Sequence, residues 1–220
     1  VKVTFLVTGG FEMAVMRENQ LFKRVLDLLG ALFLLVFLSP LLIAVALAII
    51  LTSPGEVFFK QQRLGLYGEI FWMCKFRSMV PNAVNQGSGM FVEKDDPRIT
   101  KVGRFLRKTS IDELPQLLNV LRGEMSLVGP RPAPLHHLSL YDERQRKRLN
   151  VKPGITGWAQ VNGRLALYWP ERIELDLWYV EHYSTWLDLK ILFKTVAVVL
   201  SRHGGAARED RKNVDPFMKL

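Results

Sequence analysis

From Leu28 to Leu51 the chain runs for 24 residues without a charged side chain, as LLGALFLLVFLSPLLIAVALAIIL. A continuous helix of that length crosses the roughly 30 Å hydrocarbon core of a bilayer, so this run constrains the fold more than any other feature. Ser39 and Pro40 fall at its middle. Proline removes an amide donor and clashes with the carbonyl four residues back, here that of Val36. Two arrangements follow: a kinked helix that spans, or a helix-break-helix that enters and leaves by one face. In the second, each arm holds about 12 residues and roughly 18 Å of helix, about half the membrane. Ser39 would then satisfy backbone groups that the break sets free.

Flanking charge does not choose between them. Arg17, Lys23 and Arg24 precede the run, and Lys60 and Arg63 follow it. Both sides are basic, so the positive-inside bias selects no crossing direction, as a re-entrant segment with both ends in the cytoplasm requires. The small-x-small pattern in AVALA (44–48) suggests a signal-peptide cut, but the apolar run starts late and continues through Leu51. An uncleaved anchor is the better reading.

The 220-residue chain carries a formal charge of +9, and residues 52–220 hold 26 Lys/Arg against 18 Asp/Glu. Such a field suits anionic headgroups, nucleotides or nucleic acid. No recognised nucleic-acid module accompanies it, so no nucleic-acid partner is expected. The single Cys74 excludes an intrachain disulfide and sits where packing is its expected role. The fold class expected is α+β and mostly helical. Residues 1–20 are expected to form an extension and 21–52 the membrane-embedded segment. Residues 53–202 are expected to form a small globular domain with amphipathic helices, and 203–220 a disordered tail.

Within the globular part, residues 56–79 read as a β-hairpin turning at Gly65–Gly68. Residues 82–90 read as a polar loop, and LPQLLNVLR as a helix capped by Gly123. DERQRKRLN (142–150) reads as a solvated or headgroup-facing helix, and KPGITGWAQVNGR as a structured loop. Two amphipathic helices follow, with Trp178, Tyr179, Tyr183 and Trp186 interleaved with Lys190 and Lys194. That pattern suits a membrane interface or a packed core. The opening VTFLVTGG reads as a strand and glycine turn without the full dinucleotide-binding spacing. Adjacent His136 and His137 diverge on any regular element and make a poor metal pair.

The chemistry concentrates in RKTSIDELPQLLNVLRGEMSLVGPRP (107–132). Asp112 and Glu113 are adjacent carboxylates just before Pro115, with Arg107, Lys108, Arg122 and Arg131 around them. Ser110 and Glu113 have capping-box spacing, but in that register Pro115 falls too deep in the helix. A helix beginning nearer Asp112 accommodates the proline in its first turn and keeps a carboxylate ionised at its N-terminus. Two adjacent ionised acids need neutralising, and Mg²⁺ favours carboxylates together with phosphate oxygens. Arg131, held between Pro130 and Pro132, offers a planar fork to a phosphate, and Lys75 and Arg77 alternate along a strand. Acids, cations and a divalent metal together point to phosphoryl transfer. The rival reading is a membrane-tethered basic binding module with no need for Asp112.

The apolar run, KFRSM, residues 95–132, KPGITGWAQVNGR and ELDLWYVEHYSTWLDLKILFKT resemble the bacterial sugar transferase family, the monotopic phosphoglycosyl transferases acting on polyprenyl phosphate. The likeness covers roughly residues 21–201 and suggests the minimal form of the family; Ile111 stands where leucine is more usual. It implies that Asp112 attacks the β-phosphorus of a UDP-sugar, releasing UMP, and that polyprenyl (undecaprenyl) phosphate resolves the sugar-phosphoryl-aspartate. It further implies that Glu113 helps hold Mg²⁺ beside Asp112, and that Lys75, Arg77, Arg107 and Arg131 hold phosphates. Ser39-Pro40 becomes the break of a re-entrant hairpin on the cytoplasmic face of the bacterial inner membrane. The sugar and the glycan pathway stay open, and a homodimer is compatible with the resemblance.

Overall fold

The computed structural model describes residues 6–86, 96–163, 166–201 and 215–218. Most of the described chain is helical, with two small two-stranded sheets. Helix α1 (Leu6–Phe37) and helix α2 (Ser39–Thr52) meet at Leu38. Residues 6–10 are therefore helical, where a strand and turn were expected, and α1 runs unbroken through residue 20.

The break has the chemistry its sequence implies. Pro40 lies in the first turn of α2, where its missing amide costs little. Ser39 Oγ donates to the Val36 carbonyl at 2.8 Å, the acceptor that the proline ring strands. No single described helix is long and apolar enough to cross a membrane; Leu21–Phe37 and Ser39–Thr52, bent by 62°, are so together by length and composition.

The charged stretch in the middle of α1, from Lys23 to Asp27, is docked onto the globular part. Arg24 donates to the carbonyls of Val120 and Leu121, and Lys23 to that of Val128. Asp27 accepts from Ser126 Oγ and the Leu127 amide, each at 3.0 Å. Lys23 and Arg24 are thus internal ties.

Strand β1 (Phe58–Leu64) pairs antiparallel with β2 (Ile70–Phe76), from Phe58↔Phe76 to Leu64↔Ile70, so the expected hairpin forms. Ala31 of α1 packs with Phe71, Met73, Leu117 and Val120, whereas Val45 and Ile49 of α2 pack with Phe76 and Leu106. The bent helix pair therefore embraces β2. Asn119 ties the same strand inward, accepting from the Cys74 amide and donating to the Trp72 carbonyl. Cys74 is buried, in keeping with a packing role.

Helix α3 (Lys101–Thr109) ends at Ser110, whose φ is 60°, and α4 (Gln116–Arg122) ends at Gly123, φ 86°. Strand β3 (Ser126–Val128) pairs in parallel with β4 (Gly154–Thr156), which the sequence presents as loop. A Cβ on Gly154 would lie 2.0 Å from the Gly129 amide nitrogen, so only glycine lets these backbones meet.

Helices α5 (His137–Leu140) and α6 (Glu143–Arg146) are short, and a 3₁₀ turn covers Lys147–Asn150. Arg148 on that turn is 2% exposed, so the segment is partly core rather than a solvated helix. Helix α7 (Trp158–Val161) precedes α8 (Trp169–Glu181) and α9 (Thr185–Ser201). The aromatics divide: Tyr179 is buried and donates to Asp188, and Trp178 stacks between Trp158 and His182. Trp186, Phe193, Val196 and Leu200 lie exposed along one side of α9. Near the C-terminus, Phe217 enters the core beside His137 and Trp169, and Asp215 accepts from the Trp169 amide. Asp215 and Phe217 are thus buried, within a stretch expected to be a disordered tail.

Candidate active site

The acids sit on a 3₁₀ turn, Ile111–Glu113, between the left-handed end of α3 and Pro115, which directly precedes α4. The turn makes no side-chain capping bond, and Glu113 does not reach back toward Ser110. Its carboxylate instead meets Lys75 Nζ at 2.7 Å and the Arg131 fork at 2.6 and 3.2 Å. Capping is excluded by where the side chain goes.

Burial alone would raise Glu113, but Arg131 and Lys75 hold its carboxyl well below the usual range. Asp112 moves the other way. Burial pushes it up, the Glu113 charge adds to this, and Lys75, Arg107 and Arg131 oppose it. Neighbouring acids driven apart in this way take different roles. Glu113 is an ionised brace. Asp112, 8% exposed, is the more basic carboxylate and the one without a bonded cation among the described residues. The simple expectation of an acid kept ionised by a helix terminus therefore fits Glu113 better, through its cations.

Cations outnumber acids here. Lys75, Arg107 and Arg131 all act on Asp112. Arg107 Nε donates to Ser78 Oγ at 2.8 Å, which fixes the guanidinium beside the turn. A partly buried cluster holding more positive than negative charge favours an anionic ligand.

Arg131 is placed from behind. Its carbonyl accepts from Arg148 at 3.0 Å, and the neighbouring Pro130 carbonyl accepts from the Gly154 amide at 2.9 Å. Arg148 also meets Asp176 and the Tyr141 hydroxyl. This buried network was not legible in the sequence, since Arg148 is one cation among several in DERQRKRLN.

Arg63 is a second residue the sequence reading passed over. The Leu64 amide bonds the Ala133 carbonyl at 2.9 Å, bringing the end of β1 beside the Arg131 segment. Burial and then Arg131 push the Arg63 guanidinium down to about 10, and its buried Nε has no partner among the described residues.

Arg77 corrects the expectation. Its guanidinium donates to the Ser53 and Pro54 carbonyls, both at 2.6 Å, closing the C-terminal end of α2. The alternation with Lys75 was real, but helix-end carbonyls take this side chain away from the acids. Arg77 is a structural tie.

Among the described residues, no group of three or more His, Cys, Asp or Glu side chains is placed to hold a metal. Mg²⁺ is less demanding, since it commonly uses one or two carboxylates with phosphate oxygens and water. Asp112 and Glu113 fit that need, because Glu113 Oε2 carries only the 3.2 Å bond and retains acceptor capacity.

His137 belongs to the core: burial pushes its imidazole down to about 3, with His136 and Arg148 adding to this. The folded value lies below the unfolded 6.5, so this contribution to stability is full above pH 6.5. It falls as acid protonates the unfolded chain, by up to about 1.4 kcal/mol per pH unit. His137→Phe should flatten the loss of stability between pH 7 and pH 5, read from denaturant midpoints. An identical pH slope in both proteins would remove His137 from the acid response.

Comparison with known proteins gives the class. The Bacterial sugar transferase model matches residues 18–202, and the chain belongs to that family of transferases. It is 50% identical over 182 residues to the "Uncharacterized sugar transferase EpsL" of Bacillus subtilis, covering 83% of this chain and 89% of that protein. It is 45% identical over 195 residues to the Escherichia coli "UDP-glucose:undecaprenyl-phosphate glucose-1-phosphate transferase", covering 81% of this chain and 40% of that protein. An Aeromonas hydrophila "UDP-N-acetylgalactosamine-undecaprenyl-phosphate N-acetylgalactosaminephosphotransferase" is 39% identical over 220 residues, 92% of this chain and 52% of that protein. The chain thus spans about half or less of the length of the latter two.

Proposed function

We propose that the chain transfers a sugar-1-phosphate from a UDP-sugar to undecaprenyl phosphate in two displacements at one site. An Asp112 Oδ attacks the β-phosphorus, and the bond to the α–β bridging oxygen breaks, so UMP leaves with the electron pair. An oxygen of the lipid phosphate then attacks the same phosphorus, and the Asp112–phosphorus bond breaks. The products are a diphosphate-linked sugar lipid and the regenerated carboxylate. The divided acid pair carries this reading: Glu113 is neutralised by Lys75 and Arg131, while Asp112 stays buried, more basic and free of a bonded cation among the described residues. The relatives' stated donors and acceptor agree with it.

Lys75, Arg107 and Arg131 would bind the phosphates and stabilise charge on the transferring group. When bound at Asp112 and Glu113, Mg²⁺ would neutralise phosphate oxygens. The exposed apolar side chains of α1 and α2, with Trp186 and Phe193 on α9, fit burial in one leaflet. The bent pair then acts as a re-entrant anchor on the cytoplasmic face of the inner membrane, holding the acids at lipid-phosphate depth.

Incubating the full chain with undecaprenyl phosphate and a panel of UDP-sugars tests the reaction. One UMP per lipid-linked sugar is expected. Release of UDP would mean that the sugar–oxygen bond breaks, and no nucleotide release from any donor would favour a non-catalytic tether.

A further inference from the structure

A furrow of about 460 Å³ runs between α2 and α3, and neither Lys75 nor Arg131, the cations that meet Glu113, lines it. Ala44 and Ala48, one turn apart on α2, form its floor, and Val102 and Phe105 of α3 form the opposite wall. It is apolar except for Lys101, and Phe105 is 59% exposed beside it. Two of its lining residues, Val45 and Leu106, belong to the core cluster beneath the catalytic turn. Ile111, which immediately precedes Asp112, packs in the same cluster as Val45, Ile49 and Leu106.

An occupant must therefore be apolar along α3 and anionic where α3 ends. At that end stand Arg107 and Lys108, in the last turn of the helix, with Arg107 acting on Asp112. A fatty chain lacking an anionic head would leave those charges unmatched, and a free phosphate would leave the furrow empty. We infer that the furrow between α2 and α3 holds the first isoprene units of the polyprenyl phosphate acceptor, with its phosphate at the Asp112 end of α3. The acceptor's identity rests on the reaction proposed above; the furrow adds where its chain lies. Lys101 contributes its aliphatic stem to the wall and keeps its ammonium toward water or headgroups.

Filling the furrow separates the two half-reactions. With Ala48→Trp in the full chain, UMP release and adduct formation without acceptor should match wild type. KM for undecaprenyl phosphate should rise at least about tenfold, while KM for methyl phosphate, which has no isoprene unit to place in the furrow, should change little. An unchanged KM for the long acceptor would overturn the inference, as would equal losses for both acceptors. Wild-type protein provides the second measurement. Undecaprenyl phosphate carrying a diazirine in its second isoprene unit should cross-link to peptides of α2 and α3. Unlabelled undecaprenyl phosphate should displace it, and phosphatidylglycerol should not. Cross-links elsewhere, or displacement by phosphatidylglycerol, would overturn the assignment. Absence of UMP release from wild type would instead count against the proposed reaction.

Discussion

Asp112→Asn should abolish UMP release and the sugar-phosphate adduct while leaving the fold intact. The amide is nearly the same size, so the 3₁₀ turn and the Glu113 bonds to Lys75 and Arg131 should persist. It cannot supply the carboxylate oxygen that forms the new bond to phosphorus. Loss of a covalent nucleophile typically removes most of the rate, and a fall of at least about a thousandfold is expected. Removing a carboxylate that burial and Glu113 already strain should not destabilise the chain. An unchanged melting midpoint together with lost turnover is the expected pair of results. UMP release at the wild-type rate would take Asp112 out of the mechanism.

Asp176→Asn should give the largest loss of stability among these variants. Arg148 and Asp176 form an ion pair whose side chains are 1% and 2% exposed. Neutralising the acid leaves a buried guanidinium without its counter-charge, which costs about 3–5 kcal/mol. Arg148 also donates to the Arg131 carbonyl, so turnover should suffer in whatever fraction remains folded. Equilibrium urea unfolding measures the first effect, and a change under about 1 kcal/mol would show that the pair is worth no more than an exposed one. The double variant Arg148→Met, Asp176→Leu should recover much of the stability, because an apolar replacement leaves no stranded charge. It should not recover activity, since the donor to Arg131 is gone.

Local signals carried much of the architecture. The hairpin followed from β-rich runs around Gly65 and Gly68, and α4 from its apolar spacing and Gly123. The break at Ser39-Pro40 followed from the chemistry of one missing amide. At the site, Asp112, Glu113, Lys75, Arg107 and Arg131 do converge electrostatically. What escaped was decided by tertiary partners. Nothing local distinguishes Arg77, which closes α2, from Lys75, which meets Glu113 two residues earlier. Arg148 lies in a charged segment that reads as surface, and only the distant Asp176 makes it core. Lys23 and Arg24 read only as part of the basic flank of an apolar run, and nothing local shows that their partners lie on the globular part. Strand β4 has only three residues, in a Gly- and Pro-rich stretch whose propensity argues for loop. Phe217 enters the core from a polar tail whose composition gives no sign of it.

The account stands on Asp112 as the group that becomes covalently bound, and intact-protein mass spectrometry reads this directly. Wild-type chain mixed with its UDP-sugar and no lipid acceptor should gain the mass of one sugar-1-phosphate residue on the peptide containing Asp112. Undecaprenyl phosphate should then discharge it, and Asp112→Asn should never acquire it. A wild-type chain that releases UMP to the lipid while its own mass stays unchanged under every quench would contradict the account. The donor and acceptor would then react directly, with the acids only arranging them.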